Sequence, residues 1–151
     1  EEPLKFLIIL LFMKNRADFN EPMDAIVYGT TISLGFATLE NFEYVFSADS
    51  GIESLEIAML RAISAIPLHA TCGIIMGFFF GRYAFSGSKI MLVKSLLFPI
   101  FIHGAYNFST NTSLALTFLV LVSAMVYAET LHRSIVKEQS IKETEPESKH
   151  I

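Results

Sequence analysis

The sequence predicts an all-α fold, a polytopic transmembrane helix bundle of about five spans. Three observations predict it. Hydrophobic residues make up 52% of the 151-residue chain and charged residues only 17%, against about 25% charged in soluble domains; the mean hydropathy is +0.50. The apolar residues fall into long continuous runs, several of them as long as the roughly 20 residues that a helix needs to cross the hydrocarbon. The connections between those runs alternate between basic and non-basic.

Taken in order, the first apolar run is Leu4 to Met13, about half of a crossing. It is no signal peptide, because it lacks a basic start and a small-residue cleavage site before Lys14 and Arg16. The expectation is a fragment whose first helix is cut at Glu1. The second run is Met23 to Phe46, the third Ile57 to Phe80, the fourth Ile90 to Phe108 and the fifth Ser113 to Leu131. Helices rather than strands are expected, since each backbone polar group must be satisfied within its own segment in lipid. Gly29, Gly35, Gly73, Gly77 and Gly81, with Ser33, Ala37 and Ala62, offer small faces for close helix contact, and the Gly73-Gly77-Gly81 row reads as a packing ridge.

Lys14 and Arg16, Arg82 and Lys89, and the tail residues Arg133, Lys137, Lys142 and Lys149 carry the basic charge. The connections 47–56 and 109–112 hold no Lys or Arg. The positive-inside rule therefore places the basic connections and the C-terminal tail in the cytoplasm. The chain divides into a helical bundle over 1–131 and a polar tail over 132–151, expected to be disordered after a short helical extension. No basic stretch suggests nucleic acid, and the single Cys72 excludes an intrachain disulfide and a cysteine-based metal site.

The chemistry lies in ionisable residues within apolar runs, where each costs at least about 2.5 kcal/mol and marks a functional candidate. These are Glu1, Glu2 and Lys5, then Glu40 and Glu43, Arg61 and His69, and Lys94 and His103. At about 1.5 Å of rise per residue, Glu2, Glu40, His69 and His103 stand roughly 18–24 Å above the cytoplasmic boundary. That shared depth predicts one internal site. His103 and Asn107 share a helix face four residues apart, as do Phe36 and Glu40. Glu1 and Lys5 are also four apart, so Lys5 offsets Glu1 and leaves Glu2 as the freer acid. Glu43, Lys94 and Asn41 read as interhelical hydrogen-bonding groups. Cys72 reads as buried packing.

Two histidines and several glutamates on different helices suit either a divalent metal or direct activation of water by a carboxylate. Both lead to hydrolysis. There is no HExxH helix. A membrane scaffold without catalysis, or a transporter or proton relay, uses similar residues.

The residues also carry a resemblance. "EEPLK" (1–5) resembles the EExxK motif of the PrsW family of intramembrane proteases, and "GFATLENFEYVF" (35–46) its second motif, with Phe36, Glu40 and Asn41. "RAISAIPLHATCGIIMGFFFG" (61–81) resembles the third, with Arg61, His69 and Gly73, and "HGAYN" (103–107) the last, with His103 and Asn107. The wider group includes the CAAX prenyl proteases, which carry His where this chain has Glu40, and the APH subunit of gamma-secretase, a scaffold. The resemblance implies a hydrolase that cleaves single-pass membrane proteins, such as an anti-sigma factor, within the lipid bilayer. It implies that Glu1 and Glu2 activate water or help to bind metal. His69 and His103, with Glu2, are then ligands to a divalent metal such as zinc, or polarising groups. Glu40 is a further acid or ligand, Asn107 a hydrogen-bond donor to the oxyanion, and Lys5 and Arg61 charge partners.

Overall fold

A computed structural model describes residues 1–13 and 16–144, and the described residues are helical without strands. Six helices follow one another: α1 (Glu2–Ile8), α2 (Pro22–Phe46), α3 (Gly51–Ile63), α4 (Ala65–Ser86), α5 (Lys89–Thr110) and α6 (Leu114–Thr144), with a π-helical turn at Ile9–Met13 closing α1. The boundaries have local causes. Pro3 and Pro22 sit in the first turns of α1 and α2, where a missing N–H costs nothing. Asp24 accepts the backbone N–H of Asn20 at 3.0 Å and of Glu21 at 2.9 Å, capping α2. Ser50 caps α3 by accepting the N–H of Glu53 at 3.2 Å. Gly87 ends α4 at φ +72°, a left-handed conformation that glycine adopts without strain.

The expected third span is two helices, α3 and α4. The backbone leaves helical geometry at Ser64 (φ −129°, ψ −66°), between α3 and α4. Pro67 has no N–H to give to the Ile63 carbonyl and its ring crowds that carbonyl, so the helix breaks one turn earlier. Three helical segments are long and apolar enough to cross a membrane: Gly51–Ser86, which joins α3 and α4, then Lys89–Thr110 and Leu114–Ile141. Helix α2 has 25 residues but is less apolar. The extension expected after Leu131 runs as helix to Thr144. Lys14, Lys149 and the disorder expected over 145–151 lie outside the described residues.

Helix α4 is the central element. Its glycine row lies against α2 so closely that a Cβ on Gly73 would stand 2.6 Å from the Gly29 carbonyl oxygen, and one on Gly81 2.9 Å from the Pro22 oxygen. Gly35 and Ala62, expected to serve the same purpose, do not: Gly35 has open space around it and Ala62 is exposed. Ile75, Phe78, Phe79, Ile26, Ala128 and Ile135 form one apolar cluster between α2, α4 and α6. Large apolar side chains such as Phe101, Phe108, Leu114 and Leu119 point outward, while Glu2, Lys5, His69 and His103 are buried. That inversion suits a bundle whose solvent is lipid.

The ends of the bundle differ. Pro22 meets Gly81, Arg82 pairs with Glu138, and Gln139 donates to Glu21 at 2.7 Å. The start of α2, the end of α4 and the end of α6 therefore share one end. The ionisable cluster lies toward the other.

Candidate active site

Four helices supply the cluster: α1 gives Glu2 and Lys5, with Glu1 at its N-cap; α2 gives Glu40, α4 gives His69 and α5 gives His103 and Asn107. The ring centroids of His69 and His103 lie 5.0 Å apart. Nδ1 of His103 stands 2.8 Å from Oε1 of Glu2, and the Lys5 ammonium lies 2.6 Å from the same oxygen. The ammonium also lies 2.9 Å from Nδ1 of His69 and 3.3 Å from Oε2 of Glu1. Nε2 of His69 is 2.9 Å from Oε2 of Glu40. Arg61 donates to that same oxygen at 2.6 Å, donates through Nε to Asn41 at 2.5 Å, and lies over the Tyr44 ring at 4.2 Å.

These contacts fix the imidazole tautomers. An ammonium only donates, so Nδ1 of His69 accepts and Nε2 carries the hydrogen given to Glu40. A carboxylate only accepts, so Nδ1 of His103 donates to Glu2 and Nε2 is the nitrogen left for another partner. The two rings thus present opposite nitrogens to the site. Glu40 orients His69, as carboxylates orient histidine ligands in metal sites. The backbone is tied as well: Ser33 donates its hydroxyl to the His69 carbonyl at 2.6 Å.

The two acids of the opening pair have different positions. Glu2 is only 3% exposed and is bound by Lys5 and His103, whereas the Glu1 side chain is 36% exposed and more loosely held. Glu1, not Glu2, is the freer acid, the reverse of what the four-residue spacing of Glu1 and Lys5 suggested. The i, i+3 pair Glu2–Lys5 is the shorter one. Oε2 of Glu2 is buried with no hydrogen-bond partner among the described residues. An orphaned buried oxygen costs about 1–3 kcal/mol, which a water or an electrophile would relieve.

A pocket of about 200 Å³ bordered by Glu1, Glu2, Pro3, His103 and Asn107 opens on one side. A second, also about 200 Å³, is bordered by Glu40, Arg61, His69, Tyr106 and Asn107. His103 and Asn107 border both. The carbonyl of Asn107 accepts from Thr110 and Asn111. Its side-chain amide has no partner among the described residues. Glu43 is exposed, and Lys94 lies over the Phe79 ring. Cys72 is fully buried, with its sulfur 3.9 Å from the Pro99 oxygen. None of these three belongs to the cluster. Ser33, read from the sequence only as a small packing residue, and Tyr106, not singled out there, were not expected at the site. Ser33 lies seven residues before Glu40, two turns along the same face, and that spacing could have found it.

One ligand atom from each of Glu1, His69 and His103 lies within 4.8 Å of the others. Neutral imidazole and carboxylate are the donors that zinc takes, at bonds of about 2.0–2.2 Å. The donor set fits such a cation in kind, and the side chains would draw together around it.

A sequence model described as PrsW family intramembrane metalloprotease matches residues 1–130. The chain belongs to the PrsW family. Protease PrsW of Bacillus subtilis is 41% identical over 72% of this chain and 49% of its own length. Protease PrsW of Geobacillus kaustophilus is 40% identical over 71% of this chain and 46% of its own. That of Oceanobacillus iheyensis is 33% identical over 81% and 58%. The chain spans about half the length of the first two of these curated relatives. No solved structure matches. The PrsW match does not favour the scaffold or transporter alternatives.

Proposed function

We propose that this protein is an intramembrane endopeptidase that hydrolyses peptide bonds of membrane-anchored proteins. The observation that carries the proposal is the convergence of Glu1, Glu2, His69 and His103 around one buried point beside a pocket. The buried, unpartnered Oε2 of Glu2 takes a proton from a water that attacks the scissile carbonyl, and returns it to the amine that leaves as the C–N bond breaks. His103 holds Glu2 in place through Nδ1, and the free amide of Asn107 donates to the developing oxyanion. Glu40, anchored by Arg61, positions His69 rather than touching substrate. Glu1, His69 and His103, with Glu2 beside them, would hold a divalent metal, with zinc the fitting ion. Such a metal supplies Lewis-acid polarisation and a more acidic bound water.

The family resemblance supports a single-pass membrane protein, such as an anti-sigma factor, as substrate. The alternation of basic connections supports a multi-pass protein with its C-terminal tail in the cytoplasm. The test is full-length protein reconstituted in liposomes with a membrane-tethered reporter, the cut mapped by mass spectrometry. The expected result is cleavage in or beside the reporter's transmembrane segment, lost with a chelator and restored by zinc. Intact reporter together with ion movement across the liposome would contradict the proposal. Cleavage indifferent to chelation would leave hydrolysis standing and remove the metal.

A further inference from the structure

The Lys5 ammonium lies where a cation belongs. It is a fully buried charge in the first helix, 0% exposed, with two hydrogen-bond partners and a third partner in an ion pair. Glu2 and His69 are the hydrogen-bond partners, at 2.6 and 2.9 Å, and Glu1 is the ion-pair partner at 3.3 Å. Two of the three, Glu1 and His69, belong to the set of side chains near enough to share a metal ion.

The conflict is sharpest at His69. Nδ1 has a single in-plane lone pair, and Lys5 takes it. Nε2 is committed to Glu40, which Arg61 fixes. Nδ1 is therefore the nitrogen with which His69 can serve a metal, and it serves one cation at a time. Charge leads to the same conclusion, since an ammonium and a divalent ion in one low-dielectric pocket repel strongly.

We propose that Lys5 is a resident cation that competes with metal: its ammonium holds Glu1, Glu2 and His69 together without a metal, and a divalent ion enters only as that ammonium leaves. The ring of Phe36, whose centroid lies 5.5 Å from Nζ, offers a neighbouring surface that attracts a displaced ammonium. Lys5 is then a positioning residue that sets the affinity of the site and keeps the ligands assembled when it is metal-free. The inference rests on the metal-dependent form of the proposed function.

The test measures metal binding, so its failure is distinct from a failure of proteolysis. Full-length protein in detergent micelles is titrated with zinc against a chromophoric chelator, comparing the parent with Lys5→Gln, Lys5→Arg and the double variant Lys5→Gln/His69→Ala. If the ammonium is absent from the site in about one parent molecule in ten, removing it raises apparent affinity about tenfold. Lys5→Gln is expected to bind at least about that much more tightly than the parent, Lys5→Arg to stay near the parent, and the double variant to lose the gain. Equal affinity of Lys5→Gln and parent, including no binding by either, overturns the proposal, as does Lys5→Arg matching Lys5→Gln. Acylation of the unmodified protein with a small membrane-permeant reagent keeps the question open to measurement should Lys5→Gln fail to fold. Zinc is expected to raise modification of Lys5, and unchanged modification in zinc-saturated protein overturns the proposal.

Discussion

At the scale of single residues, the site is a chain of held groups. Arg61 holds Glu40, Glu40 holds His69, and Lys5 joins His69 to Glu2, which joins His103. Removing a link that touches no substrate should lower the rate while leaving the fold. Glu40→Gln keeps an acceptor but loses the charge that fixes the His69 tautomer. Cleavage of a tethered reporter is expected to fall about 10–100-fold, the usual cost of losing a partner of a metal-ligating histidine. A rate within twofold of the parent would remove Glu40 from the positioning role. Ser33→Ala deletes a buried hydrogen bond, so it should cost about 1 kcal/mol of stability in a detergent unfolding titration. Much of this was legible from ionisable residues in apolar runs. Which carboxylate Lys5 prefers was not. Helical spacing allows both i, i+3 and i, i+4 partners, and only the approach of His103 and His69 decides between them.

At the scale of elements, the glycine row of α4 places the site. Because Gly73 meets α2 backbone directly, His69, one turn before it, comes within reach of Ser33 and Glu40. Gly73→Ala forces the backbones apart and should destabilise by about 1–3 kcal/mol, seen as a lower detergent unfolding midpoint. Gly35→Ala has open space to occupy and should be neutral or slightly stabilising, because alanine favours the helix. Equal losses in the two variants would show that close approach is not what the row provides. The sequence located this row, and the ends of α2 and α5 to within two residues. It did not show the break at Ser64, because a continuous apolar pattern runs through it and Pro67 alone marks it. The π turn at Ile9–Met13 carries no sequence signal that we can name.

At the scale of the whole molecule, one end gathers Glu21, Arg82, Glu138 and Gln139, and the ionisable cluster lies toward the opposite end. The orientation proposed from the positive-inside rule puts the Arg82 end in the cytoplasm. In full-length protein carrying Cys72→Ser, cysteines placed at Asp49 and at Lys137 report the two sides. A membrane-impermeant maleimide should label the Asp49→Cys protein in intact cells, and the Lys137→Cys protein only after lysis. The reverse pattern would invert the topology.

The central claim is that the Glu and His side chains gathered from α1, α4 and α5 perform hydrolysis. The most direct measurement is single-turnover cleavage of the tethered reporter by full-length parent, Glu2→Gln, His69→Ala and His103→Ala, each shown to be folded by its thermal unfolding. The account predicts cleavage by the parent and a loss of at least about a hundredfold in each variant, the scale of a missing general base or oriented partner. Parent-like cleavage by all three folded variants would contradict it.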